Sequence, residues 1–261
     1  MVNPADIRHN AVRYLLSALA CLLLLLASAP LRAETIQVAV ASNFAAPMKA
    51  IAREFEKSTG HRVQMMFGSS GKLYAQIVHG APFQVFLSAD SSKPERLEQE
   101  GHALAGTRFT YARGALVLWS ARADYVDNSE LLLKNGNFRR LAIANDRLAP
   151  YGMAAREVLE KIDAWPQVKG RLVTGENIAQ TYQFVASGNA DIGFIAQSQA
   201  MSEGRLKSGS AWLVPQTLHA PILQDAVLLE KGRDHAAATA LLDYLRSDAA
   251  RALIRQHGYH I

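Results

Sequence analysis

Segments with the pattern of strands alternate with helical segments from residue 35 to the end of this chain, and this alternation restricts the possible folds most. The apolar run at 35–40 precedes a helical pattern at 44–58, and the run at 63–67 precedes a second helix. Such alternation is typical of α/β proteins, in which helices connect the strands of mostly parallel sheets. Ligands of these folds bind beyond the carboxyl ends of the strands, so the strand-to-helix junctions are the places to look for function.

The first 33 residues have the features of a secretory signal peptide. Two arginines lie near the start, the stretch 15–27 is apolar but too short to span a bilayer comfortably, and a cleavage site follows Ala33. Cys21, the only cysteine, lies within this segment in a poor context for lipidation. We therefore expect an exported protein of residues 34–261 that folds without disulfides.

Four of the predicted strand-to-helix junctions carry small polar or glycine-rich residues. They are Ser42-Asn43, the FGSSGK segment at 67–72, Tyr151-Gly152 and the Glu-Asn-Ile segment at 176–178. A helix start has backbone N–H groups without partners, and with nearby hydroxyls it forms an anion site, although a serine there is also a common helix cap. Two junctions precede a candidate crossover near Arg113 and two follow it. We therefore expect two lobes that each present two helix starts to one cleft.

The predicted junctions offer neutral donors, which suit the reversible binding of a small tetrahedral dianion. Backbone N–H groups and the side chains of serine, asparagine and tyrosine can satisfy oxygens in four directions without burying a lysine or an arginine. A monoprotonated phosphate would also need an acceptor for its own proton. Glu176 is expected to point to solvent in the first turn of a helix, and Lys72 is expected at the rim of the site.

Motifs of several other functional classes are missing from the sequence. The segment 67–72 is not a P-loop, since Met66 stands where a P-loop needs glycine and Leu73 where it needs serine or threonine. The spacing of a hydrolase elbow, a metal-binding histidine motif and a convincing nucleophile–base pair are missing as well. A formal net charge of +5 without a long Lys/Arg run argues against nucleic acid as a partner. We therefore expect a protein that is not an enzyme and holds no free metal cation.

Five sequence segments make the chain similar to the periplasmic molybdate-binding proteins of bacterial molybdate ABC transporters, over essentially all of 34–261. They are VASNF at 40–44, FGSSGKL at 67–73, GAPFQVFLSAD at 80–90, Pro150-Tyr151-Gly152 and Ile192-Gly193. The resemblance implies an α/β periplasmic binding protein fold of type II. Its two lobes are each a mostly parallel sheet flanked by helices, and the ligand lies in the interlobe cleft. Lobe I would comprise 34–112 and 225–261, and lobe II 113–224.

The resemblance also implies which residues bind the oxyanion. Asn43, with Ser42 beside it, matches a donor at the first junction, and Ser70 matches a serine that binds through its hydroxyl and its N–H. Tyr151 and Ile178 match positions that donate backbone N–H groups at the third and fourth junctions. The predicted ligands are therefore Ser42, Asn43, Ser70, Tyr151 and Ile178.

One position departs from the pattern of the family. Many members have a ligand tyrosine where this chain has Ala196, and alanine where this chain has Tyr151. We therefore hypothesise that Tyr151 supplies both its N–H and its hydroxyl to the ligand.

The resemblance implies a periplasmic protein that captures molybdate or tungstate and delivers it to an inner-membrane ABC permease, as a monomer and without a cofactor. Binding of sulfate or phosphate on the same fold is an alternative, because cavity size and donor placement decide among tetrahedral oxyanions. A secreted α/β enzyme is a further alternative, and the absence of a P-loop, a nucleophile elbow and a metal-binding motif from the sequence argues against it. An effector-sensing domain of a transcription regulator shares the architecture but would not carry a signal segment.

Overall fold

The computed structural model describes residues 33–126, 129–202 and 204–261. The signal peptide expected at 1–33 therefore lies outside the described residues except for Ala33. Within these ranges, no helix combines the length and the apolar sequence that crossing a membrane requires.

Strands and helices alternate through the described residues, as the sequence predicts. The strands are β1 (Thr35–Ala41), β2 (Arg62–Gly68), β3 (Val85–Leu87), β4 (Phe109–Gly114), β5 (Leu116–Ser120), β6 (Leu141–Ala144), β7 (Leu172–Gly175), β8 (Ile192–Ala196), β9 (Met201–Ser202), β10 (Arg205–Leu206), β11 (Ser210–Leu213) and β12 (Ile222–Leu228). The α-helices are α1 (Ala45–Thr59), α2 (Ser70–Val78), α3 (Ser92–Gln99), α4 (Ser129–Asn135), α5 (Pro150–Lys161), α6 (Trp165–Val168), α7 (Ile178–Ala186), α8 (Gln197–Ala200), α9 (Ala236–Arg246) and α10 (Asp248–Gln256).

Two five-stranded sheets organise the described chain. The first has the strand order β2-β1-β3-β12-β4, and the second has the order β7-β6-β8-β5-β11. In each sheet the first three strands pair in parallel, whereas the last two join through antiparallel pairs. The strand order reverses between β1 and β3 and between β6 and β8, and ligands of open α/β sheets bind at such points.

The α/β fold class is confirmed, and its sheets are more mixed than the sequence predicts. The sequence favours mostly parallel sheets, but β12 enters the first sheet antiparallel to both of its neighbours. The path of the chain is the physical reason, because β4 carries the chain from the first sheet towards the second and β12 carries it back.

The run from Phe109 to Trp119 forms two strands that belong to two different sheets. β4 ends at Gly114 and β5 begins at Leu116, so Ala115 alone separates the two sheets along the chain. The crossover lies next to the position expected at Arg113. The lobe limits at 112/113 and 224/225 stay a prediction; below, lobe I and lobe II mean the first and the second sheet with the helices packed on each.

Apolar residues on each sheet pack against helices and hold the strands in place. In lobe I, β1 is buried against Met48 and Phe55 of α1. In lobe II, all four residues of β6 are buried, and this strand packs with Val158 and Leu159 of α5. Because strands and helices are packed together in this way, the junctions that connect them have fixed positions.

Candidate functional site

All five predicted ligands line one pocket at the carboxyl ends of the strands of both sheets. The pocket is partly open to solvent, its empty space including that opening is about 190 Å³, and it is lined by Ala41, Ser42, Asn43, Gly68, Ser69, Ser70, Ala89, Ala149, Pro150, Tyr151 and Ile178. The first seven of these follow or end strands of lobe I, and the last four follow strands of lobe II. Every lining residue is electrically neutral, so the pocket presents dipoles rather than charges to a ligand.

The first junction places Ser42 and Asn43 in a single turn of 3-10 helix, Ser42–Phe44, between β1 and α1. The side chain of Asn43 faces the protein, since its Nδ2 donates to Gln224 Oε1 at 2.8 Å and to the Tyr259 hydroxyl at 3.0 Å. These bonds use both protons of the amide nitrogen. Asn43 can therefore offer a ligand only its backbone N–H.

At the second junction, Ser70 is the first residue of α2 and is almost fully buried. Its Oγ accepts a hydrogen bond from the N–H of Ala89 at 2.9 Å. A serine hydroxyl has one proton, and because this bond uses the oxygen as an acceptor, the proton is left to donate into the pocket. Ser70 therefore offers two donors, its hydroxyl and its backbone N–H at the start of a helix.

At the third junction, proline determines which backbone N–H faces the pocket. Pro150 is the first residue of α5 and has no N–H. The N–H groups of Gly152 and Met153 both donate to Ala149 O. Tyr151 therefore carries the first free N–H of the helix, and no acceptor for it is found among the described residues.

At the fourth junction, an asparagine cap leaves the first N–H of the helix free, as Pro150 does at the third. Asn177 Oδ1 accepts hydrogen bonds from the N–H groups of Ala179 at 3.0 Å and Gln180 at 3.1 Å. The N–H of Ile178, the first residue of α7, has no acceptor in the part of the chain that the structure describes. Ile178 lines the pocket, so the positive end of the helix dipole lies next to the site.

A buried polar network behind the pocket joins the two lobes through Gln224 of β12. Gln224 is fully buried, and its Oε1 accepts from Asn43 and, at 3.1 Å, from the hydroxyl of Tyr111. Its Nε2 donates to the Tyr151 hydroxyl at 3.2 Å. Gly114 makes room for this contact, because a Cβ at that position would lie 2.2 Å from the phenol oxygen. The network fixes Asn43 and Tyr151, which both line the pocket.

A second part of the network connects the chain terminus with lobe II. The Tyr259 hydroxyl donates to the backbone oxygen of Asn43 at 2.8 Å and lies 3.0 Å from Ser198 Oγ. Ser198 belongs to α8, which follows β8 of the second sheet. Tyr259 therefore adds a second contact between the lobes to the one that Gln224 makes.

The phenols of this network remain uncharged at physiological pH. Burial raises the pKa of Tyr111 and of Tyr151 well above the usual value for tyrosine. Burial also raises the pKa of Tyr259 to about 12, although hydrogen bonds with Ser198 and Asn43 oppose that shift. A neutral network does not repel an anion in the pocket, and it keeps its hydrogen bonds as the pH changes around neutrality.

Tyr151 lines the pocket, and its hydroxyl is held by Gln224, so a contact between that hydroxyl and a ligand stays a prediction. Ala196, where many members of the resembling family have tyrosine, is fully buried at the end of β8. Ala196 is not among the residues that line the pocket.

Glu176 makes a contact that the sequence does not predict. Glu176 was expected to point to solvent, but its carboxylate forms an ion pair with the ammonium group of Lys72 in the other lobe. Each side chain is about half exposed, at 51% and 48%. The two opposite charges lie within reach because Lys72 follows Ser70 closely and Glu176 precedes Ile178 closely, and those two residues meet at the pocket.

Sequence reasoning missed Gln224 and Tyr259, and it included Ser69 in the second junction without naming it as a ligand. Ser69 lines the pocket and is 3% exposed, and its Oγ has no hydrogen-bond partner among the described residues. Gln224 could have been noticed as a polar residue within the apolar return strand 222–228. The sequence contains no comparable signal for Tyr259, which lies near the end of the chain.

Among the described residues, no group of three or more His, Cys, Asp or Glu side chains is arranged to hold a metal ion. The residues that do meet at the pocket are hydrogen-bond donors. Such a set binds the oxygens of an anion rather than a bare cation.

Comparison with known proteins gives consistent matches over almost all of the described chain. The sequence model of the bacterial extracellular solute-binding protein family matches residues 36–260. The molybdate-binding protein ModA of Azotobacter vinelandii is 54% identical over 235 residues, which cover 90% of this chain and 93% of that protein. ModA of Rhodobacter capsulatus is 48% identical over 230 residues, which cover 88% of this chain and 90% of that protein.

Solved structures agree with the sequence matches. The periplasmic molybdate-binding protein of Azotobacter vinelandii superposes with a TM-score of 0.83 and 39% identity, covering 87% of this chain and 99% of that chain. The sulfate-binding protein SubI of Mycobacterium tuberculosis superposes with a TM-score of 0.73 and 14% identity, covering 87% of this chain and 86% of that chain. At that identity the second match concerns the fold alone.

Proposed function

This chain belongs to the bacterial extracellular solute-binding protein family, and from that premise we propose that it captures molybdate, or tungstate, and delivers it to an ABC permease. The relatives at 54% and 48% identity are named as molybdate-binding proteins, and both are matched over about nine tenths of this chain. Their names support molybdate over sulfate, which has the same charge and tetrahedral shape.

The neutral pocket between two lobes is the structural observation that carries the proposal. Four junctions present hydrogen-bond donors to one small volume, and no lining residue is charged. A tetrahedral dianion has acceptors in all directions and no proton to donate, so donors alone can satisfy it. The lining contains no carboxylate to accept the proton of monoprotonated phosphate, which supports molybdate over phosphate.

The proposed ligands act mainly through backbone N–H groups at the starts of helices. Ser70 would donate its hydroxyl and its N–H, while Tyr151 and Ile178 would donate N–H groups that have no acceptor among the described residues. Asn43 would donate its backbone N–H, because its side chain is engaged by the protein. Ser42 completes the set from the same turn of 3-10 helix.

The remaining parts of the proposal concern the protein's place in transport. We infer export to the periplasm from the signal pattern of residues 1–33, and docking on an inner-membrane permease from membership of the family. The protein would act as a monomer, without a cofactor and without catalysing a reaction. Nucleic acid is not a proposed partner, since the pocket is small and neutral.

A ligand panel tests the proposal. Purified 34–261 is melted alone and with molybdate, tungstate, sulfate or phosphate at equal concentrations and fixed ionic strength. A ligand at 100 times its Kd stabilises the folded protein by about 2.7 kcal/mol. We expect an increase in Tm with molybdate and tungstate and a much smaller one with the other two. An increase with sulfate but not with molybdate or tungstate would overturn the proposal.

A further inference from the structure

The two residues that follow Ser70 both contact lobe II. The N–H of Gly71 donates to Leu148 O at 2.8 Å, and Lys72 forms the ion pair with Glu176. One turn of helix α2 therefore carries a pocket residue and, directly after it, two contacts to the opposite lobe. None of the four residues in these two contacts lines the pocket.

Gly71 is close enough to lobe II that a side chain would not fit without a shift. A Cβ built on Gly71 would lie 3.0 Å from both the Cα and the O of Leu148, whereas ordinary van der Waals contacts are 3.4–4 Å. Both neighbours are backbone atoms, which cannot rotate away as the end of a side chain can. An alanine at position 71 would therefore require the two lobes to shift apart here by a few tenths of an ångström.

The bond from Gly71 also replaces a helix cap. Ser69 is the N-cap residue of α2, yet its side chain makes no capping bond and its Oγ has no partner in the described part of the chain. An N-cap serine commonly accepts from the second or third N–H of its helix. In this structure the second N–H, that of Gly71, is satisfied by Leu148 O instead. The start of α2 is thus completed by the opposite lobe.

We propose that the Gly71–Leu148 hydrogen bond and the Lys72–Glu176 ion pair form a clasp that sets the affinity and the dissociation rate of the oxyanion without touching it. This inference rests on the proposed function. The clasp stabilises the arrangement in which the donors of both lobes meet at the pocket. Apparent affinity falls in proportion to the fraction of molecules in that arrangement, so a weaker clasp raises the apparent Kd.

The effect of replacing Glu176 on the affinity distinguishes a role in the clasp from a simple electrostatic effect on the ligand. Glu176 is negative and lies close to Ile178 at the pocket, so its charge repels a dianion. If Glu176 acted only through its field, Glu176→Gln would tighten binding. If Glu176 acts through the clasp, the same substitution weakens binding and speeds dissociation. The sign of the effect therefore separates the two roles.

Gly71→Ala is the first test, with Gly170→Ala as the matched control. A Cβ at Gly170 meets no atom within 4 Å. Alanine is a better helix former than glycine, so we expect the ligand-free Tm of Gly71→Ala to be unchanged or raised. We expect its Kd for molybdate to rise about tenfold, mainly through faster dissociation measured by stopped flow. Wild-type affinity and dissociation rate in Gly71→Ala would overturn the role of Gly71.

Glu176→Gln is the second test, with Glu130→Gln as the control. Glu130 is similarly exposed and pairs with Lys134 within helix α4 of lobe II. We expect Glu176→Gln to raise the Kd a few-fold and the exchange Lys72→Glu with Glu176→Lys to restore much of the loss. Tighter binding by Glu176→Gln would overturn the ion pair as part of the clasp. Wild-type protein that fails to bind molybdate at all would instead refute the proposed function.

Discussion

Gln224 Nε2 lies 3.2 Å from the Tyr151 hydroxyl and donates to it, so a strand of the first sheet holds a pocket residue of lobe II. Gln224 is fully buried and Tyr151 is 2% exposed. A buried donor that loses its acceptor cannot recover the loss from water. The phenol of Tyr151 is therefore part of the structure that supports the pocket.

Tyr151→Phe should lower the free energy of unfolding of the ligand-free protein by about 1–3 kcal/mol, because it leaves Gln224 Nε2 without its acceptor. Urea denaturation followed by circular dichroism measures this change. An unchanged stability would contradict the role of the phenol in the network. The Kd for molybdate, measured on the same variant, tests the hypothesis that the hydroxyl is a ligand, since an unchanged Kd would exclude it.

Ser70→Ala should weaken molybdate binding by about 1–3 kcal/mol, because it removes a hydroxyl whose proton is free to bond a charged ligand. Isothermal titration calorimetry gives the Kd directly. Ser187→Ala is the control, since Ser187 is exposed directly after the end of α7 and its hydroxyl makes a long contact of 3.4 Å with Phe184 O. If both variants bound molybdate with the same Kd, the Ser70 hydroxyl would not be a ligand.

Asn177→Ala should weaken both stability and binding. The substitution removes the cap that occupies the N–H groups of Ala179 and Gln180, at a cost of about 1 kcal/mol. It should also raise the Kd for molybdate, because the Ile178 N–H is no longer held by a well-formed helix start.

The matched control is Ser247→Ala, which removes the cap of helix α10, where Ser247 Oγ accepts from Ala250 N. We expect Ser247→Ala to cost a similar amount of stability and to leave the Kd unchanged. If Asn177→Ala also left the Kd unchanged, the Ile178 N–H would not be a ligand.

Stability should fall at alkaline pH because of Tyr259. Its pKa is raised from 10.0 to about 12 by burial, so the folded protein holds its proton to a higher pH than the unfolded chain does. The stabilisation is fully present below pH 10 and is lost as the pH rises towards 12. We expect urea midpoints to fall over this window, and to fall less steeply in Tyr259→Phe. If the urea midpoints of the wild type and of Tyr259→Phe fell in parallel with pH, Tyr259 would not be the cause of the loss of stability.

The sequence was sufficient to predict the fold class and to select residues that the structure brings to one pocket. Ser70 and Ile178 could be predicted because both lie directly at a strand-to-helix junction. The free N–H groups of a helix start can be recognised there from the local sequence, and such junctions are also where ligands of this fold bind. The structure bears out that location, since both line the pocket. Their role as ligands remains a proposal.

The supporting network could not be predicted from the sequence for a physical reason. Gln224 bonds to Asn43, which is 181 positions away, and the contact exists only after both sheets have formed. The local pattern of β12 shows two adjacent polar residues, Gln224 and Asp225, in an otherwise apolar strand, but it does not show their partners. The same limit applies to Glu176, whose expected position at a helix start suggested solvent contact, because its partner Lys72 is distant in the sequence and is brought beside it by the fold.

The two strands that connect the lobes also carry part of the polar network behind the pocket. Tyr111 lies on β4 and Gln224 on β12, each close to the point at which the chain leaves or re-enters the first sheet. When two lobes rotate about such connecting strands, atoms near the rotation axis move little and atoms far from the axis move most. The Lys72–Glu176 pair lies outside these two strands and is about half exposed. If the lobes open by such a rotation, the network behind the pocket would keep its shape while this pair separates, and a departing anion would lose the donors of one lobe before those of the other.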